Sequence, residues 1–200
     1  MRFKFSKEIE FFLKKFFFSE SFLLKRRLER SIKNRDENEI ELLKRFIKPG
    51  TDCIDVGVYR GVYSYEMSKY SKKVHSFEPN PLIFKYINEN LKKISNNIDL
   101  YNFALSNENR VLDLKVPIRN KRFNKENYEE HYLMGRATVH ELNNFQDYEK
   151  FEITLKKIDD FNFDNEISFM KIDVEGHEIE VIEGGKLMIK KNKPVLLVEI

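Results

Sequence analysis

Two short stretches place carboxylates at the ends of apolar runs: Ile54-Asp55-Val56-Gly57-Val58-Tyr59-Arg60-Gly61 and Lys171-Ile172-Asp173-Val174-Glu175-Gly176-His177-Glu178. Each reads as a buried strand running into an acid and a glycine, and open parallel α/β sheets bind ligands outside that end of their strands. The first stretch does not make a dinucleotide site. Such a site needs G-x-G-x-x-G so that backbone N–H groups can approach a diphosphate, whereas Gly57 and Gly61 are spaced G-x-x-x-G. Asp55 stands where the phosphates would pass, and Asp173 brings a second carboxylate to the same crevice. The pair suits a ligand that carries positive charge and no phosphate. S-adenosyl-L-methionine, with a sulfonium and an ammonium group, has that chemistry.

The glycines at 57 and 61 let backbone approach a ligand, and the helix that follows offers unpaired N–H groups at its start. Glu78 lies 23 residues after Asp55 at the end of the next apolar run, where an acid can accept both hydroxyls of a ribose. Asn102 and Ala104 close a third run and are candidates for the adenine edge. Asp173, Glu175, His177 and Glu178 crowd three carboxylates and an imidazole together, which is costly unless they meet a cation, a proton or solvent. Asp173 interrupts an apolar strand at its active end, and His177 is a candidate general base. The plain alternative for Glu175 and Glu178 is a favourable position at a helix N-terminus. No spacing of ligands points to a metal. His75 reads as a packed or rim histidine, and His131 and His140 as loop residues. Tyr59 and Tyr63 could stack on a ligand or simply cover a helix start.

The elements that position these groups follow from period and punctuation. Strands are expected at 52–56, 74–77, 98–103, 111–116, 151–158, 167–172 and 195–200. Helices are expected at 37–47, after Gly61, from Pro81 to about Ile94, and from His177 to Ile189. Lys48-Pro49-Gly50 stops the first of these, and Pro79 and Pro81 end one strand and open the next helix. The alternation implies right-handed crossovers and a mostly parallel sheet with helices on both faces. A long polar insert at about 117–150 interrupts it, and a loop of that length reads as a substrate-side cap.

Two hundred residues form one core domain, at 37–200, preceded by a basic amphipathic segment at 1–36. Up to Arg35 there are eleven Lys/Arg against four Glu, so the rest of the chain is mildly acidic. Phe5, Ile9, Phe12, Phe16, Phe22, Leu23, Leu28 and Ile32 give that segment an apolar stripe. It packs on the domain, or it lies in a membrane interface with Lys/Arg on anionic headgroups. No apolar run reaches a membrane span, and no cleavable leader pattern is present. A single cysteine, Cys53, fits a reducing compartment and hence the cytoplasm.

The order Ile54-Asp55-Val56-Gly57 with Gly61, Phe77-Glu78-Pro79-Asn80-Pro81, Ala104-Leu105-Ser106, Gly135-Arg136-Ala137-Thr138, Ile158-Asp159-Asp160 and Lys171 through Glu178 resembles the FkbM family of S-adenosylmethionine-dependent methyltransferases over about residues 38–200. The resemblance implies a Rossmann-like class I methyltransferase fold and O-methylation, typically of a sugar or natural-product hydroxyl. It makes Asp55, Gly57, Gly61 and Glu78 cofactor residues, and Asp173 and Glu175 site residues. Val58-Tyr59 stands where the family commonly has Ala-Asn, and the family's closing hairpin does not follow Ile200. The sheet edge is therefore expected to be completed by further chain or by a partner, including a second copy. Competing readings are an RNA or protein methyltransferase docked through the basic segment, which lacks a nucleic-acid-binding motif, and a non-catalytic interaction module.

Overall fold

In the computed structural model, residues 17–34, 38–118, 137–140 and 147–199 are described. Most of the 117–150 insert, including Asn120, Lys121, Asn124, Lys125, Glu129, His131 and Gly135, lies outside them, as does the start of the N-terminal stripe.

Five strands, β1 (Asp52–Val56), β2 (Lys73–Phe77), β3 (Ile98–Tyr101), β7 (Ile167–Ile172) and β8 (Val195–Val198), form a wholly parallel sheet in the order β3-β2-β1-β7-β8. Strand order reverses between β1 and β7, and ligands bind at that switch point in doubly wound sheets. The two strands meet in register, Asp55 opposite Lys171 and Val56 opposite Ile172. A second sheet, in the order β4-β6-β5, joins β4 (Ala104–Leu105), β5 (Arg110–Pro117) and β6 (Tyr148–Lys156), with β5 and β6 antiparallel.

Alternation along the central strands sends residues to opposite faces. Cys53, Val74 and Phe169 join a core with α1 (Glu20–Asn34), α2 (Leu43–Phe46), α3 (Val62–Met67) and α4 (Pro81–Ile94). Ile54, Phe77, Met170 and Ile172 join another with α5 (Glu178–Gly184) and α6 (Lys186–Asn192). Helix α1 packs: Leu24 and Leu28 are buried in the first core. Its outward face carries Phe22, Arg26, Arg30 and Lys33, all exposed, and Phe18 stacks on Phe22 with ring centroids 4.9 Å apart. The helix therefore anchors to the domain and also presents an aromatic and basic surface. Among the described residues no helix is long and apolar enough to cross a membrane.

Several boundaries differ from the sequence expectation: the helix expected at 37–47 is a 3-10 helix, Asn38–Leu42, followed by the short α2, the strand after the insert begins at Tyr148, and the last strand ends at Val198. The third strand stops at Tyr101 rather than Phe103, because the Asn102 amide turns back to donate to the carbonyls of Glu78 and Pro79 at 2.9 and 3.2 Å, and the chain then enters the second sheet. The strand after the insert ends at Lys156, and Ile158–Asp160 forms a 3-10 turn. The single helix expected from His177 to Ile189 is two. They break at Gly184 and Gly185, where a Cβ would lie 1.8 Å from the Ser106 carbonyl oxygen and 2.4 Å from Ile158 Cγ2. Asp159 starts the second helix by accepting from the N–H groups of Leu187 and Met188 at 3.0 and 2.8 Å.

Candidate functional site

A cleft opens at the C-terminal ends of β1, β2, β4 and β7, the place where open parallel α/β sheets bind their ligands. Gly57, Tyr59, Glu78, Ala104, Asp173, Glu175 and His177 line it. Asp55, Gly61 and Asn102 do not.

Glu78 ends β2 and is only 5 % exposed. Its Oε2 accepts from the Tyr59 N–H and its Oε1 from the Asn80 N–H, both at 2.9 Å. Each carboxylate oxygen keeps a second lone pair. Burial pushes its pKa up to about 7, opposed by those two backbone N–H groups; the charge of Asp55 adds to the rise, and that of Lys171 works against it. The Tyr59 N–H can reach Glu78 because the turn after β1 runs through left-handed backbone, with φ +83° at Gly57 and +47° at Tyr59. At Gly57 a Cβ would sit 1.8 Å from the Asp173 carbonyl oxygen, so the ends of β1 and β7 close together only around a glycine.

Asp55 is fully buried behind this turn and accepts from the Ser64 hydroxyl of α3, which also bonds Ser76 of β2 at 2.9 Å. It fastens α3 to the sheet. Asp173 is half-buried, and its Oδ2 accepts from the Lys171 ammonium at 2.7 Å. The loop beyond it is shaped by Glu178, whose Oε1 accepts from the N–H groups of Val174 and Gly176 at 3.2 and 3.1 Å. Glu178 thus braces the loop that precedes α5, whereas Glu175 is exposed at the cleft in left-handed backbone, φ +54°.

His177 is buried, with Nε2 at 2.9 Å from the Ser106 hydroxyl and Nδ1 at 3.3 Å from Nε2 of His140 and 3.5 Å from the Glu180 carboxylate. Burial holds it below its ordinary pKa, with Glu180 pulling the other way, so the ring is neutral at pH 7. Thr138 roofs the cleft: it pairs with Lys115 of β5, and its hydroxyl donates to the Glu175 carbonyl at 3.2 Å. The second histidine, His75, bonds Asp52 at 3.0 Å away from the cleft, a packed role. Among the described residues no group of His, Cys, Asp and Glu is arranged to hold a metal ion.

Lys171 and the Tyr59 N–H, which hold the carboxylates of Asp173 and Glu78, are the contacts at this site that pattern reasoning missed. A lysine in the buried run Ile-Ser-Phe-Met-Lys-Ile was the available signal.

The model of the methyltransferase FkbM domain matches residues 55–200. The chain belongs to the FkbM methyltransferase family. No curated protein matches it. Among solved structures it is similar to the methyltransferase FkbM from Methylobacillus flagellatus KT, at 16 % identity and TM-score 0.49 over 80 % of this chain and 39 % of that one. It is also similar to precorrin 8W decarboxylase from Methanobacterium thermoautotrophicum, at 22 % identity and TM-score 0.28 over 32 % of this chain and 37 % of that one. The chain thus spans about two-fifths of the length of each.

Proposed function

We propose that the cleft binds S-adenosyl-L-methionine and that the chain methylates a hydroxyl of a sugar, glycan or small metabolite. One observation carries this reading. Glu78, buried at the end of β2, is held by two backbone N–H groups with lone pairs left for a vicinal diol, in a cleft that also contains Asp173. The donor set fits the cofactor, since acids gather where a diphosphate would need N–H groups and cations. Glu78 would hold the ribose, the Gly57 turn the amino-acid end, and Ala104 with Phe77 the adenine side. When bound, the cofactor supplies an electrophilic methyl group on a sulfonium.

The residues around it orient and deprotonate the acceptor. Asp173, fixed by Lys171, presents its carboxylate to the cleft and can accept the acceptor's hydroxyl proton. Both ring nitrogens of His177 are engaged within the protein, so its task is to set the wall beside Ser106 and Glu175 or to relay a proton through His140. Most of the acceleration comes from alignment, and proton removal adds on the order of 10²–10⁴.

Calorimetry with S-adenosylhomocysteine tests the reading. Binding by the wild type and its loss in Glu78→Ala is the expected result. A folded wild type that takes up no ligand overturns it and favours the interaction module.

A further inference from the structure

The C-terminal end of β7 holds a charge that the strand has no packing reason to contain. All six residues of Ile167–Ile172 are buried, and Lys171 among them is 5 % exposed. An ammonium group in such a place is strongly disfavoured unless several partners surround it. Three do. Its Nζ donates to Asp173 Oδ2 at 2.7 Å, lies 3.4 Å from the Gly57 carbonyl oxygen, and sits 4.8 Å from the centre of the Tyr63 ring on α3. The strand register adds a fourth neighbour, because Lys171 is paired with Asp55 across β1 and β7, and in-register parallel neighbours project to one face.

The acids around this ammonium come from both strands of the switch point, Asp55 from β1 and Asp173 from the end of β7, with the Tyr63 ring from α3. Lys171 is the cation that these two acids share, and its charge also acts, as a smaller effect, on Glu78 at the end of β2. We infer that Lys171 is the positioning residue of the cleft, fixing the Asp173 carboxylate and the Gly57 turn together and offsetting only part of the acidic charge, so that this end of the cleft selects a ligand with net positive charge. The inference deepens the proposed methyl-donor site and rests on it for the ligand, but the charge arrangement belongs to the free protein.

The contact with Gly57 explains why one side chain governs both partners of the reaction. Gly57 opens the turn whose Tyr59 N–H orients Glu78, and Asp173 faces the acceptor. Loss of the ammonium therefore frees Asp173 and leaves Glu78 harder to ionise, whereas arginine keeps the charge. A buried ion pair with only a structural task predicts something different, namely weaker folding and a ligand affinity reduced equally at every pH.

The test compares the full-length wild type with Lys171→Met and Lys171→Arg, first by carboxyl ¹³C NMR titration without ligand. The Glu78 midpoint is expected near 7 in the wild type, higher in Lys171→Met, and close to the wild type in Lys171→Arg. Affinity for S-adenosyl-L-methionine, the ligand with net positive charge, should then fall several-fold at pH 7 in Lys171→Met and recover as the pH is raised. Equal Glu78 midpoints in wild type and Lys171→Met, or an affinity loss independent of pH, overturn the inference. Should Lys171→Met not fold, the Lys171 ammonium ¹⁵N resonance of the wild type decides. Slow exchange and a clear shift on Asp173→Asn support the shared cation, and exchange as fast as that of a surface lysine refutes it. Because the titration needs no ligand, it can fail while the methyl-donor site stands, and the reverse.

Discussion

Replacing Glu78 with Gln should erase a pH dependence that the wild type carries in both stability and ligand affinity. The carboxyl is moved by burial from its ordinary 4.5 to about 7, which at 1.36 kcal/mol per unit is about 3 kcal/mol. The folded state holds this proton more tightly than the unfolded chain does. The group's contribution to stability is thus fully present below about 4.5, falls as pH rises through about 7, and is constant above. Ligand binding runs the opposite way. Two ribose hydroxyls need a carboxylate that accepts from both, so affinity for S-adenosylhomocysteine should rise about tenfold per pH unit up to about 7 and then level off. Between pH 5 and pH 8 calorimetry should record a change of about 100-fold in Kd in the wild type. Glu78→Gln removes the titration but turns an amide NH2 toward one of the Tyr59 and Asn80 N–H donors, so its affinity should be low and flat. A flat wild-type profile, or a Gln variant that keeps the slope, refutes the argument.

Gly57→Ala should cost about 3 kcal/mol or more in denaturant unfolding, since it combines left-handed backbone with a Cβ placed 1.8 Å from the Asp173 carbonyl oxygen; a loss below about 1 kcal/mol would mean the strand ends can part freely. Asp173→Asn should lower kcat on the order of 10²–10⁴ while leaving S-adenosylhomocysteine affinity within a few-fold, and an unchanged kcat removes it from the acceptor side. On α1, Arg26→Glu, Arg30→Glu and Lys33→Glu together should release the chain from anionic vesicles, at about 1 kcal/mol per basic residue. Co-sedimentation reads this without the damage that deleting the helix would do to a core containing Leu24 and Leu28. Equal retention by wild type and triple variant ends the idea of a membrane contact there.

The sequence by itself determined the frame. Asp52–Val56, Pro81–Ile94 and Ile167–Ile172 were legible as apolar runs bounded by Pro and Gly, because hydrophobic period and backbone-restricted residues act within a few positions along the chain. That frame already put Glu78 and Asp173 at strand ends and so in one crevice. Only the tertiary structure decided what the side chains do there. Asp55 turns behind the cleft to Ser64, the Asn102 amide serves the turn after β2, and His177 finds Ser106, which lies 71 residues away in the chain. Lys171 became intelligible only once the register of β1 against β7 set it beside Asp55 and Gly57. Local patterns fix which face a strand buries, but the partners of a buried charge come from elements more than a hundred residues apart, and their distance is set by packing rather than by spacing.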